Sequence, residues 1–376
     1  MSAPCDVVVV GAGIVGAACA LACAREGMRV TVLERDVAPG LGATATGMGQ
    51  LVVMDGSDAE LALTRYSVDL WHELAERLPP DCEYDRCGTV WVACNEAEYD
   101  AAVRKSAYYR EHGVEAELLD ARALYAYEPN LRPGLKGGLR VPGDAILYAP
   151  RATAAMLAEA QSLGTRVLYG RRTTALIDGG VELHDGAVVH AAHVVVATGV
   201  HARELLPELP VRPRKGHLVI TERYPAFVRH EVVELGYLDS AHGTEQDSVA
   251  FNVQPRPTGQ LLIGSSRQFD IADSEIDAAM VGRMVERALA YLPGLAGLDV
   301  LRVWAGHRAA TPDGLPYIGP NPTRPGVICA TGHEGLGITT ALGTASLIAD
   351  MLAGRTPAIA AEPYLPARVY EEPAHA

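Results

Sequence analysis

The chain has no apolar run of the roughly 18 residues that a membrane-spanning helix needs, so no such helix is expected. It is short of positive charge: 32 Lys and Arg stand against 46 Asp and Glu, a formal net charge of −14. That balance disfavours nucleic acid and anionic membrane surfaces as partners, although a basic pocket can still sit inside an acidic protein. Cys-x-x-Cys is absent, and the seven cysteines (Cys5, Cys19, Cys23, Cys82, Cys87, Cys94 and Cys329) are odd in number. A disulfide framework, a metal pair or an iron–sulfur cluster held by this chain alone is therefore not expected. Cys19 and Cys23 fall one helical turn apart and read as small core residues. No long repeat or low-complexity stretch is visible. A fold that starts near residue 5 leaves no room for a leader peptide, which predicts a cytoplasmic protein. What the chain has is apolar material: 49% hydrophobic residues against 21% charged. Its 376 residues allow one large or two ordinary domains with a substantial core.

The strongest local signal lies in residues 5–36, CDVVVVGAGIVGAACALACAREGMRVTVLERD. Residues 7–10 are a β-branched run that suits a strand buried on both faces. Gly11, Gly13 and Gly16 follow with G-x-G-x-x-G spacing. An Ala-rich helix then ends near Gly27, and residues 29–33 read as a second buried strand. Each part has a physical job. Gly11 permits the tight turn, Gly13 lets a pyrophosphate approach the backbone, and Gly16 lets helix and strand pack closely. The helix N-terminus offers unpaired N–H groups and a positive dipole end to phosphate. Glu34 ends the second strand, 18 residues past Gly16, where it can accept hydrogen bonds from ribose hydroxyls. A turn used only for packing would carry the same glycines. Strand, glycines, helix, strand and acid in this order point instead to a dinucleotide. The acid disfavours a 2′-phosphate, even though Arg35 follows at once.

Residues 39–53, PGLGATATGMGQLVV, combine glycines with small side chains, so main chain can lie flat against a large ligand; a plain flexible loop would look the same. Residues 58–78 carry Leu61, Leu63, Tyr66, Leu70, Leu74 and Leu78 at helical spacing, with His72 as a surface or packing residue. Pro79 and Pro80 break the chain. Further on, a strand is expected over 83–95, a polar helix over 96–112, a short capped helix over 118–123 and a strand over 137–141. A helix over 150–163 opens near Pro150, and short strands follow at 166–168 and 175–177. Residues 181–183 and 188–190 read as a hairpin closed at Asp185 and Gly186. Residues 193–199, HVVVATG, form an apolar strand ending in small residues, as at the carboxyl edge of the same parallel sheet or in an ordinary core strand. Strands over 217–221, 232–238, 248–254 and 260–265 look antiparallel, followed by a helix over 273–292 and a strand over 300–306. The tail reads as a strand, a Gly-rich loop and a long helix from about Gly337. There Gly332, Gly335 and Gly337 repeat the anion-cradling logic.

Nucleotide-binding signals thus stand near residues 11, 198 and 335. The predicted fold class is α/β, with a Rossmann-like nucleotide domain over 1–82, 145–212 and 303–376. A substrate domain with an antiparallel sheet, α+β in character, is inserted as 83–144 and 213–302.

The pieces VVVVGAGIVG with Glu34, GATATGMGQL, VVVATGVHA, GHRAATPDGLPYIG and GHEGLGITTALGTA occur in that order along nearly the whole chain. In this the chain resembles the FAD-dependent amine and amino-acid oxidoreductases of the D-amino-acid oxidase superfamily, which includes glycine and sarcosine oxidases. FNVQPRPTGQLLIGSSRQ and GHEGLGITTALGTA look most like the β subunit of D-hydroxyproline dehydrogenase. The hydrogen cyanide synthase and opine oxidase subunits are near relatives.

The resemblance implies noncovalent FAD, because no cysteine stands in the late loop where sarcosine oxidase attaches its flavin. It implies oxidation of a secondary amine or D-imino acid to an imine by hydride transfer from Cα. Electrons then pass to a partner subunit or another acceptor. A stand-alone oxidase that makes hydrogen peroxide and a noncatalytic flavin-bound subunit are the alternatives. FAD contacts are implied at Gly11, Gly13, Ile14, Val15, Gly16, Glu34 and Arg35. Others are implied at Ala43, Thr44, Thr46, Gly47, Met48, Thr173, Ala197, Thr198 and Gly199, then at Gly306, Arg308, His333, Glu334, Gly335, Leu336, Gly337 and Ile338. Arg308 occupies the family position that clamps the substrate carboxylate. Ala309 stands where many members have Pro. Gly335 stands where some carry a second Arg, which leaves room for a substrate larger than glycine. Asn252 and Gln254 are candidate substrate contacts or packing residues, and Met48 and Gln50, placed by the flavin ring, are candidate substrate contacts as well. His333 and Glu334 reach the flavin edge or serve the loop alone. No general base is assigned.

Overall fold

The computed structural model describes residues 5–236 and 247–370. The first sheet is built on β1 (Cys5–Val10), with β2 (Val30–Leu33) on one side and β11 (Val188–Val196) on the other, both parallel to it. β8 (Arg166–Leu168) extends it beyond β2, and β18 (Val327–Thr331) and antiparallel β17 (Tyr317–Pro320) extend it beyond β11. A hairpin of β9 (Thr173–Ile177) and β10 (Gly180–Leu183) pairs onto the start of β11. The expected hairpin strand at 188–190 and the apolar strand at 193–199 are therefore one strand, whose start pairs in the hairpin and whose end pairs in the parallel sheet.

Val7, Val8 and Val9 are fully buried, as a run of β-branched residues between two parallel neighbours should be. The helix Ile14–Arg25 covers β1 with alanines and two buried free thiols, Cys19 and Cys23. Burial pushes the Cys23 thiol up to about 12, so it stays uncharged. Such small side chains let the helix lie close to the helices Ala149–Ser162 and Ala341–Leu352.

The second sheet runs β16-β12-β15-β14-β13-β4-β6-β5. Its strands are β4 (Thr89–Ala93), β5 (Glu117–Asp120), β6 (Gly137–Val141), β12 (Arg212–Arg223), β13 (Glu231–Glu234), β14 (Ser248–Pro255), β15 (Gln260–Phe269) and β16 (Val300–Ala310). All pairs are antiparallel except β13 with β4, which joins the two inserted segments into one mixed sheet. A two-stranded ribbon, β3 (Gln50–Leu51) with β7 (Ala145–Ile146), lies apart from both sheets. The helix Ala278–Leu289 packs on β14 and β15 through Met280, Met284 and Ala288, buried at one-turn spacing.

Several expected boundaries move, for local reasons. The strand expected over 83–95 is only β4, because Asp85 instead exchanges backbone hydrogen bonds with Ile146 of β7. The helix expected from 118 begins at Ala121: the Asp120 side chain caps it by accepting the Ala123 amide, and 117–120 pair as β5. Asp277 caps Ala278–Leu289 in the same way, so that helix does not start at 273. The strand expected over 232–238 ends at Glu234, and residues 237 and 238 lie outside the described residues. β16 runs past 306 to Ala310 and pairs with β12 throughout, so residues 303–310, grouped by sequence with the first sheet, belong to the second.

Candidate active site

Where the carboxyl ends of β1, β2 and β11 face the second sheet, the chain encloses a cavity of about 450 Å³. That is within the range of roughly 300–1,000 Å³ for ligand sites. The glycine turn forms one wall. Gly11 has φ +102°, and a Cβ there would lie 2.6 Å from the Ala197 carbonyl oxygen. A Cβ at Gly16 would lie 2.0 Å from the Gly11 carbonyl oxygen. Gly16 is buried in this packing and is not on the cavity wall, so its expected cofactor contact is corrected to a role in shaping the turn. Gly13, Ile14 and Val15 do line the wall, and Thr44 Oγ1 accepts the Ile14 amide at 3.0 Å.

Glu34 also lines the cavity. Its Oε2 accepts the Ala12 amide at 2.7 Å and its Oε1 the Asp36 amide at 2.9 Å, which fixes the carboxylate at the strand end. Arg35 Nη2 lies 2.9 Å from His201 Nε2, and His201 Nδ1 lies 2.9 Å from Glu204, which also pairs with Arg172. Sequence reading passed over Arg171, Arg172, His201 and Glu204. Their position just after β8 and β11, at the carboxyl edge of a parallel sheet, was the available signal.

The residue 42–47 segment lies against β16: Trp304 Nε1 donates to Thr46 O at 3.2 Å, and a Cβ at Gly306 would strike Thr46 Oγ1 at 2.1 Å. Ala43, Thr44, Thr46, Gly47 and Met48 line the cavity, as do Thr173, Ala197, Thr198, Gly199 and Gly306. The hydroxyls of Thr173 and Thr198 are buried and have no hydrogen-bond partner among the described residues.

Arg308 lies within β16 rather than after a strand end. Its Nη1 donates to Ser266 O at 3.0 Å, which carries the guanidinium across β12 onto β15. Glycine at 216 makes that path possible, since a Cβ there would sit 2.3 Å from Nη1; a Cβ at Gly335 would lie 3.5 Å from Nε and 3.7 Å from Cδ. A glycine inside the strand-like stretch RKGHLV was a readable sign of such a close approach. Glu334 lines the cavity and accepts from Arg214 Nη1 at 2.9 Å. His333 is buried, with Nε2 2.9 Å from Thr344 Oγ1; burial pushes its imidazole down to about 3, so it is neutral.

Met48, Gln50 and Asn252 are brought together on the cavity wall. Gln50 Nε2 donates to Asn252 Oδ1 at 3.1 Å and to Glu231 Oε1. Gln254 is not there. It is buried and donates to Met48 O at 2.8 Å, so its expected substrate contact is corrected to anchoring the Met48 backbone. Leu336 is also off the wall and packs in the apolar cluster of Trp91 and Leu139. Gly337 and Ile338 line the cavity, but the helix begins at Ala341 rather than at Gly337. The turn before it is pinned by Trp71, whose Nε1 donates to the carbonyls of Ile338 and Thr339 at 3.1 and 2.9 Å.

Among the described residues no cluster of His, Cys, Asp and Glu could hold a metal, and no helix is long and apolar enough to cross a membrane. Residues 6–351 match the family model described as DAO, FAD dependent oxidoreductase. The glycine oxidase of Pseudomonas aeruginosa is 29% identical over 377 residues, covering 96% of this chain and 98% of that one. The hydrogen cyanide synthase subunit HcnC of the same organism is 27% identical over 423 residues, covering 98% and 97%. Among solved structures, glycine oxidase from Geobacillus kaustophilus has a TM-score of 0.87 at 26% identity, covering 96% of this chain and 98% of that one.

Proposed function

The chain belongs to the DAO family of FAD-dependent oxidoreductases, and from that premise we propose that it oxidises a D-imino acid of the proline or hydroxyproline kind and passes the electrons to a partner subunit. The residues present fit FAD. Glu34, fixed by two backbone amides on the cavity wall, would hold ribose hydroxyls, and the buried hydroxyls of Thr173 and Thr198, without a partner among the described residues, are free to bond the cofactor. When bound, FAD supplies the acceptor for the hydride that leaves the substrate Cα.

The chain's own residues bind and orient. The observation that carries the reading is Arg308, threaded between Gly216 and Gly335 to the cavity wall. There it meets a carboxylate with a planar fork and fixes Cα in place. His333, neutral and held by Thr344, contributes no charge that would repel an incoming cation. The amine must be neutral when its Cα–H is removed. Gly335 in place of a second cationic side chain leaves room for a ring. Likeness to HcnC, a subunit by name, supports an acceptor on another chain.

Likeness to the Pseudomonas aeruginosa glycine oxidase favours a second reading, an oxidase that reduces oxygen to hydrogen peroxide by itself. The noncatalytic-subunit reading has Arg308 against it, because such a subunit has no use for a carboxylate clamp. The deciding experiment is anaerobic reduction of the flavin with glycine, sarcosine, D-proline and cis-4-hydroxy-D-proline, followed by air. Bleaching by the imino acids with slow return in air supports the dehydrogenase. Fast return with peroxide supports the oxidase, and bleaching by none of them overturns both.

A further inference from the structure

Arg308 can clamp a carboxylate only while the carbonyl it bonds, Ser266 O, stays in place, and at that point the sheet is not a regular ladder. β12 and β15 pair Lys215 with Gln268 and Val219 with Ile263, and the register slips between those two points. A bulge of this kind interrupts the ladder and re-aims the groups inside it. Gly216, His217 and Ser266 all lie in the slip. There the His217 amide donates to a side chain, Ser266 Oγ, at 2.9 Å. The Ser266 carbonyl meets Arg308 Nη1 at 3.0 Å beside Gly216, where a Cβ would lie 2.9 Å from that oxygen.

The fully buried ring of His217 completes this arrangement. The amide of Asp277, the residue that caps the helix Ala278–Leu289, donates to Nε2 at 3.1 Å. An amide N–H can only donate, so Nε2 is the bare nitrogen and the neutral ring carries its hydrogen on Nδ1. Nδ1 lies 3.0 Å from Ser266 Oγ and donates to it. Burial and then the Lys215 charge lower the pKa of this imidazole, which agrees with a neutral ring. A hydroxyl oxygen has two acceptor lone pairs, and both of Ser266's are taken by one residue, through its amide and its ring. The Ser266 side chain is thereby held in one setting, next to the carbonyl that Arg308 uses. His217 itself is off the cavity wall, between Gly216 and Leu218, which line it.

We propose that His217 is the positioning residue for Arg308: its ring hydrogen fixes Ser266, and the Ser266 carbonyl fixes the guanidinium at the cavity wall. The Asp277 amide selects the tautomer that does this. The inference rests on the reading of Arg308 as the carboxylate clamp.

The test uses FAD-loaded protein and pyrrole-2-carboxylate, a ring carboxylate with no Cα hydrogen to give up, and reads its Kd from the shift in flavin absorbance. His217→Asn keeps a donor at the Nδ1 position and leaves the Asp277 amide without its acceptor. His217→Gln does the opposite: it keeps an acceptor at the Nε2 position and withdraws the donor from Ser266. His217→Asn should bind within about threefold of the wild type. His217→Gln should bind about tenfold more weakly, with kcat/KM for D-proline falling in parallel. Ser266→Ala should be at least as weak as His217→Gln, and adding His217→Gln to it should cost nothing more, because the ring hydrogen then has nothing to hold. Melting midpoints and FAD content are measured on the same samples. A His217 that serves stability alone would give equal losses in the Asn and Gln variants that follow the midpoint. That result, or Ser266→Ala with an unchanged Kd, overturns the inference and leaves the clamp standing. If Arg308→Met binds the carboxylate as well as the wild type does, the clamp reading fails and this one with it.

Discussion

Replacing Arg308 by methionine removes the guanidinium while keeping an unbranched apolar stem. The native guanidinium donates to Ser266 O, and the side chain lies close to the bare backbone of Gly216 and of Gly335. Charge-assisted hydrogen bonds contribute about 1.5–3 kcal/mol each. Losing a two-bond fork to a carboxylate therefore costs about 3–6 kcal/mol, or roughly 10²–10⁴ in kcat/KM at about 1.4 kcal/mol per tenfold. Lysine keeps the charge without the fork and should recover roughly one to two of those decades. The assay is steady-state oxidation with a dye acceptor, alongside absorbance to show that FAD stays bound. A rise in KM at constant kcat would mark binding alone, and a fall in both kcat and kcat/KM would mark placement of Cα. Gly216→Ala gives an independent check. Its Cβ would sit 2.3 Å from Arg308 Nη1, so activity should fall at least about tenfold with the arginine still present. Arg308→Met with flavin retained and kcat/KM within threefold of wild type would refute the clamp.

Other outcomes follow from the same geometry. Glu34→Ala removes a carboxylate that two backbone amides hold in place, and should weaken FAD binding by roughly 10–100-fold, read by flavin release on dilution. Burial raises the Asp144 carboxyl to about 7, against the opposing Val53 amide and Lys105 charge. An acid with a raised folded pKa binds more protons folded than unfolded, so it removes stability as pH rises from about 4 to about 7, and the full cost stands above that. Asp144→Asn should therefore flatten the denaturation midpoint across this window, and parallel curves for both proteins would refute the assignment.

How much of this was legible depended on how local the cause was. The β1–turn–helix unit was readable because one glycine turn, one apolar run and one acid dictate it within 30 residues. Arg308 was visible through its motif, but its path over β12 needed Gly216, which only pairing brings beneath it. Gln254 shares a face with Asn252 by strand alternation, so sequence gave them one role; Met48 folding over Gln254 separates them. Leu336 sits in a loop of cavity residues, yet its side chain turns to an apolar cluster that other segments build. Glu231 gave no sign, because the cost of burying a carboxyl depends on neighbours such as Gln50 and Asp144 that only the fold brings to it. Helix starts failed where a capping Asp, at 120 or 277, lay a few residues inside the expected helix.

The most direct measurement compares D-proline with pyrrolidine, the same ring without the carboxylate, in anaerobic reduction of the bound FAD. The account predicts bleaching by D-proline and almost none by pyrrolidine at equal concentration, with the difference lost in Arg308→Met. Equal rates for both compounds, or no reduction by any imino acid, would contradict it.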